Sequence, residues 1–350
     1  MLLVSPGTTA GWRRVDSDLQ ASLHDLGLSV SVATSDYRVV RHLRRTVLAT
    51  DLAEAAAMRH ALTRALRRHR PRAIVYSSPQ AAMLQPGSRL RGATAVRFDE
   101  PAAVNRRGAG AGFLHALERR ALGQVRLLLP IGLEPSAEAA SVGVDTPMVA
   151  LPTPIPVGPE TGAAERERLV LTYMGNPDKK GLDLAVTAWA AASAPGWRLV
   201  VTGIDREAGR RWLERRGIPE PEEVEWTGLV PAERYRALLA RAGAYLSTSH
   251  HEEYGLAQLE ALGAGVPLVT IRASGPYEAY RYAAALDPRL AVDGDTAPPL
   301  ARALEAAISY SEPERAAYAA RARELLRPHS REELRRRLEH QVLPVLLPAG

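Results

Sequence analysis

The chain is 350 residues long, with 46% hydrophobic and 24% charged residues, the composition of an ordinary globular protein. That length exceeds what one core usually serves, so two domains of roughly 150 to 180 residues are expected. The sequence has no cysteine, which excludes disulfides and thiolate metal sites, and no apolar run approaches the roughly 18 residues of a membrane span.

The opening stretch MLLVSPGTTAGWRRV has no basic segment ahead of its apolar residues, and it reads as a first strand rather than an export signal. With cysteine absent as well, a cytoplasmic location is expected. The net charge of +6 is unevenly placed. Residues 1–155 carry 20 arginines and no lysine against 12 acids, a charge of +8, whereas residues 156–350 carry 25 basic and 27 acidic groups, a charge of −2. Such asymmetry suits a first half that meets something anionic. Lys179 and Lys180 are the only lysines among the 45 basic residues.

In chain order, LLVSP predicts a strand. A loop containing Gly7 and Gly11 follows, then a helix over RVDSDLQASLHDLG that stops at Gly27. LSVSVAT is a second strand, and a long helix runs from about Thr50 to His69. RAIVYSS, ATAVRFD, RLLLPIG and PMVALP are further strands. Strands separated by helices argue for βαβ units and a parallel sheet. PTPIPVGPETGA concentrates proline and glycine without periodicity and reads as a linker. A second series begins at LVLTYMG and continues through LDLAVTAWAAAS, WRLVVTG, VEWTG, RYRALLARAG, AYLSTS, a helix at 256–264 and PLVTI. The amphipathic stretch REELRRRLEHQVLPVLL closes the chain.

This pattern gives an α/β protein of two Rossmann-like domains facing each other across a cleft. Residues 1–155 form the first domain, 156–330 the second, and 331–350 a terminal helix that packs back toward the first. Ligands of such sheets bind beyond the carboxyl ends of the strands, so the loops there are the informative ones.

Two of those loops carry chemistry. In GNPDKKG, Gly175 to Gly181, glycines allow tight turning and two ammonium groups sit beside a helix N-terminus, an arrangement suited to a diphosphate. A solvated turn accounts for the same residues equally well. In HHEEYGLAQLE, the carboxylates of Glu252 and Glu260 are eight positions apart. The N–H groups of Tyr254, Gly255 and Leu256 fall at the start of a helix with no capping side chain, free to bind an anion. Capping alone explains Glu253. Glu260 lies among small residues, where an unpaired carboxylate is costly, so a hydroxyl-bearing ligand is expected to meet it. His250 and His251, followed directly by two glutamates, do not have metal-ligand spacing, and no metal site is expected.

E-x7-E followed by ALGAGVPLVT and SGPYE, together with YMGNPDKKGLDLAVTAW and VEWTGLV, resembles the retaining GT-B glycosyltransferases of family 4, also called group 1. The resemblance covers most of the second half and is weaker over SPGTTAGW, LHDLGLSVSVAT and ERRALGQVRLLLPIG in the first. It implies transfer of a sugar from a nucleotide-sugar donor with retained configuration, without a cofactor or metal. Glu252 would hold the sugar hydroxyls, Glu260 the ribose, and Lys180 the diphosphate. Gly11 would approach that diphosphate from the first domain, and Trp226 to Gly228 would border the base. The family's usual arginine after the strand-end glycine is Asn176 here, with Lys179 as the substitute cation. Its usual histidine before an aspartate is Phe98, leaving Asp99 as a replacement candidate beside Glu252 and Lys180 in catalysis.

The sequence does not name the acceptor, which is a glycan, a lipid-linked or a small molecule, but the basic first half bears on it. YRVVRHLRRTV places Arg38, Arg41 and Arg45 on one stripe. Such a helix either lies on an anionic membrane and receives a lipid-linked acceptor, or is a solvated face of an arginine-rich protein. Nucleic acid is not expected as a partner, since the arginines are not interleaved with aromatics.

Overall fold

The computed structural model describes residues 1–7, 10–35, 46–102, 106, 108, 110–133, 142–157 and 166–348. The chain divides into two compact units, Met1–Pro154 with Pro328–Gly350, and Ile155–Arg327. The segment carrying Arg38, Arg41 and Arg45 and the second half of the Pro- and Gly-rich linker lie outside the described residues.

In the first unit, β1 (Leu2–Ser5), β2 (Ser31–Thr34), β3 (Ile74–Tyr76), β4 (Thr94–Phe98) and β5 (Leu127–Pro130) form one parallel sheet in the order β2-β1-β3-β4-β5. Side chains alternate between its faces. Leu2, Val4, Val96, Phe98 and Leu128 point to one face and meet Met58 and Leu62 of the helix Val47–Leu66. Leu3, Val75, Ala95, Leu127 and Leu129 point to the other and meet Leu19 and Leu23 of the helix Ala10–Asp25. Both faces are therefore covered, which explains why these strands read as continuous apolar runs rather than alternating ones. Thr46 caps Val47–Leu66 by accepting from the N–H of Ala49 at 3.1 Å, so this helix starts three residues before the expected Thr50.

Two expectations are corrected here. PMVALP is not a strand: it runs beside β5 with a single bridge, Met148 to Leu128, because extending the ladder would need N–H groups that Pro147 and, on β5, Pro130 lack. The first helix begins at Ala10, four residues before Arg14, so Gly11 sits in a helical turn and not in a loop.

The C-terminal segment belongs to this unit. Leu334, Leu338, Val342 and Leu346 fill the core that contains Leu3 and Leu127, and Arg337 donates to the Ala150 carbonyl at 2.9 Å. The helix Arg331–Arg337 widens into a π-turn over Leu338–Val342 before Leu343–Leu346. Pro344, which cannot donate a backbone hydrogen bond, follows that wider turn.

In the second unit, β6 (Glu167–Tyr173), β7 (Arg198–Thr202), β8 (Val224–Gly228), β9 (Ala242–Ser247), β10 (Leu268–Ile271) and β11 (Ala291–Val292) form a parallel sheet in the order β11-β10-β9-β6-β7-β8. Strands β9 and β10 are buried throughout and β6 and β7 over most of their length, whereas the edge strand β8 is half-exposed. No helix among the described residues is long and apolar enough to cross a membrane.

Candidate functional site

The carboxyl edge of the second sheet carries most of the residues singled out in the sequence. Three glycines stand there side by side. Gly175 follows β6, Gly203 follows β7, and Gly228 ends β8. The Gly203 N–H donates to the Gly228 carbonyl at 2.8 Å, and a Cβ on Gly203 would lie 2.7 Å from the Gly175 nitrogen. Only glycine fits such an approach. Gly203 was visible in VVTG as a strand-end glycine but was not selected.

Asn176 caps the four-residue helix Pro177–Lys180, accepting from the Lys179 N–H at 3.2 Å. Its amide thus serves the backbone where the resemblance would place a cation. The helix ends at Gly181, whose φ of +66° and proximity to the Thr248 carbonyl leave no room for a side chain. Three loops are laced together at this point. Thr248 Oγ1 donates to the carbonyls of Lys180 (3.0 Å) and Gly181 (2.8 Å), and the His250 N–H donates to Lys179 at 3.0 Å. The Glu252 N–H donates to the Ser274 carbonyl at 2.9 Å, and the Ser274 N–H returns to His250 at 3.0 Å. Ser274 and Gly275 open the SGPYE stretch of the resemblance, but neither they nor Thr248 advertise this lacing in sequence, because the partners lie far away in the chain.

This lacing brings the charges into pairs. Lys180 meets Glu252, with side chains only 17% and 6% exposed. Lys179 donates to both oxygens of Glu253, at 2.9 and 2.7 Å. Burial opposes ionisation of Glu253, but the hydrogen bond and charge of Lys179 outweigh it and hold the carboxyl below its usual range. Each lysine thus has its own glutamate.

Beyond Glu252 the helix Leu256–Gly263 begins after Gly255, at φ +76°, and no side chain caps it. Tyr254 is buried and Leu256 half-buried. The expectation that Glu260 is the buried polar group of this helix is corrected: Glu260 is half-exposed, and the buried one is Gln258, which donates to Ser247 Oγ at 2.8 Å. Burial, with a smaller push from the Glu260 charge, raises the phenol of Tyr235. The Glu260 charge is thus felt at Tyr235.

Gly11 and Asp99 belong to the first unit. Gly11 is exposed on its helix, and Asp99 is half-buried just past β4, where its Oδ1 accepts from the Glu100 N–H at 2.9 Å. A charged cluster that the sequence did not advertise lies around it. Arg106 pairs with buried Asp51 at 2.7 Å, and Glu118 accepts the Ala102 N–H at 2.6 Å. Burial pushes the Glu118 carboxyl up to about 7, against the pull of the Ala102 N–H and the Arg106 charge.

Residues 159–325 match the family described as Glycosyl transferases group 1. The chain is 34% identical over 126 residues to a glycogen synthase of Mycobacterium tuberculosis, a stretch that covers 35% of this chain and 29% of that relative's length. Its structure is similar to sucrose-phosphate synthase from Thermosynechococcus elongatus (TM-score 0.72, 15% identity, 97% of this chain and 96% of that one). It is also similar to WaaG, a glycosyltransferase involved in lipopolysaccharide biosynthesis (TM-score 0.67, 16% identity, 100% and 99%). By sequence, residues 159–325 are similar to the group 1 glycosyltransferases, and by structure the chain has the GT-B fold of two parallel sheets.

Proposed function

We propose that this chain is a glycosyltransferase that moves a sugar from a nucleotide-sugar donor to an acceptor hydroxyl with retention of configuration, without a metal or cofactor. The observation that carries the reading is the Lys180–Glu252 pair beside the uncapped start of Leu256–Gly263. A diphosphate sugar needs what stands there: a cation and backbone N–H groups for the phosphates, and a carboxylate for the sugar hydroxyls. When the bond from the anomeric carbon to the diphosphate breaks, its electron pair goes to the leaving phosphate oxygen. Lys180 and the helix amides, already in position, stabilise that charge. The acceptor oxygen bonds to the anomeric carbon from the same face, and its proton passes to the departing phosphate oxygen. This route needs no second catalytic carboxylate. Half-exposed Glu260 is suited to the ribose hydroxyls, and the strand end at Trp226 to Gly228 to the base. The excess of arginine over acid in residues 1–155 suits an anionic acceptor, or a peripheral stay on an anionic membrane face.

The test is thermal stabilisation by a panel of UDP-, GDP- and ADP-sugars, with shifts that grow with ligand concentration for one base. Slow hydrolysis of that donor without an acceptor supports transfer. Stabilisation without hydrolysis or transfer supports a second reading, a GT-B protein that binds a nucleotide sugar without turning it over, which the capping use of Asn176 favours. No stabilisation by any donor overturns both.

A further inference from the structure

Lys179, three residues after Asn176, is the substitute for the cation missing there, and it is already engaged. We propose that Glu253 is a positioning residue that withholds Lys179 from the donor, so that Lys180 alone meets the diphosphate; the inference rests on the donor site described above.

Three observations support it. The first is the asymmetry of the two pairs. Lys179 is bound by both oxygens of Glu253, at 2.9 and 2.7 Å, whereas Lys180 meets Glu252 through Oε1. Two charge-assisted hydrogen bonds must both be given up before the Lys179 ammonium can turn to a ligand. The second is the company Glu253 keeps. His251 Nε2 lies 3.4 Å from its Oε1, and its carboxyl is held in the charged form. If Lys179 swung away, that carboxylate would confront an incoming diphosphate with like charge and little but His251 to screen it. The third is the backbone. The Lys179 N–H is tied to Asn176 Oδ1 at 3.2 Å and its carbonyl accepts from His250 at 3.0 Å. The residue cannot follow its side chain.

Since Lys179 and Lys180 are the only lysines of the chain, side-chain nitrogen labelling of lysine gives two ammonium signals, assigned with Lys179→Arg and Lys180→Arg. Adding UDP, GDP or ADP to the whole protein is expected to move the Lys180 signal and leave that of Lys179 in place. Glu253→Gln is expected to shift the Lys179 signal in the free protein and to tighten nucleoside-diphosphate binding by about three- to tenfold, with nucleoside-monophosphate binding unchanged. Lys179→Ala in the Glu253→Gln background removes that gain. A Lys179 signal that moves with Lys180 on adding the diphosphate, or binding weakened by Glu253→Gln, overturns the proposal. If no nucleotide moves either signal, the donor-site reading fails instead. The effect of Glu253→Gln on the Lys179 signal in the free protein then still decides whether Glu253 holds Lys179.

Discussion

Lys180 and Glu252 are 72 positions apart in the chain, yet they form one ion pair whose carboxylate side chain is 6% exposed. Breaking a buried pair by removing one partner costs about 3 to 5 kcal/mol, because the other charge is stranded away from water. Lys180→Ala and Glu252→Ala are each expected to lose stability toward that range, somewhat reduced by the residual exposure of Lys180. Lys180→Met with Glu252→Gln should recover most of the stability and none of the turnover. Urea unfolding and initial rates on the same variants check this. A double variant as unstable as the singles would mean that the pair is not what holds the loops together.

Gly275 controls where Glu252 stands. Its φ is +96°, and a Cβ there would overlap the Glu252 carbonyl. Gly275→Ala therefore carries backbone strain of about 1 to 3 kcal/mol and displaces the 250–255 loop. A displacement near 1 Å at a reacting group is enough to lower turnover by about a hundredfold. The expected outcome is a loss of kcat larger than the loss of thermal stability would explain. Gly294→Ala, at an open position of equally positive φ (+114°), should lose a similar amount of stability with kcat intact.

What the sequence revealed and what it hid divide along physical lines. Runs such as LLVS and LVLTY announce strands because parallel strands covered on both faces must be apolar throughout. Strand-end glycines and E-x7-E are local patterns and survive as text. Glu260 was misjudged because a helical wheel supposes one buried face, whereas the helix Leu256–Gly263 buries Gln258, Leu259, Ala261 and Leu262 and leaves Glu260 half open. PMVALP reads as a strand by composition, but Pro147 and, across from it on β5, Pro130 lack the N–H groups that would extend its one bridge. The partner of Lys179 was not legible, since Glu253 lies 74 positions away and only the fold brings them together. The same holds for Arg97, a buried cation inside an apolar strand, whose guanidinium reaches Thr153 Oγ1 at 2.9 Å.

Glu118 and His329 set opposing pH dependences within the first unit. Burial raises the Glu118 carboxyl to about 7 from its ordinary 4.5, so its contribution is full below pH 4.5 and is lost as pH rises through 7. Burial, helped by the Arg337 charge, lowers the His329 imidazole to about 4 from 6.5, so its contribution is full above pH 6.5 and is lost as pH falls through 4. Each shift corresponds to about 3 kcal/mol as an order of magnitude, and the two windows overlap. The parent should therefore show a nearly flat unfolding free energy between about pH 4.5 and 6.5 for this pair of groups. Glu118→Gln should expose the acid lability of His329, and His329→Gln the opposite slope. Chemical denaturation at three pH values in both variants checks the signs, and parallel slopes would contradict the assignment.

The C-terminal segment is structural for the first unit, whatever chemistry the second performs. Leu334, Leu338, Val342 and Leu346 are each about 1% exposed and pack with Leu3, Leu19 and Leu127. Deleting a buried leucine side chain costs about 2 to 5 kcal/mol, so Leu338→Ala alone takes a large share of a domain's stability of about 5 to 15 kcal/mol. Ending the chain after Arg327 uncovers the part of that face of the first sheet that the helix Ala10–Asp25 does not cover. The shortened protein is expected to lose the cooperative unfolding of residues 1–154 while the β6–β11 unit keeps its amide-exchange protection. Hydrogen exchange followed by mass spectrometry reads both units in one experiment, and protection retained over β1, β3 and β5 after the truncation would show that the helix is not needed to hold that sheet.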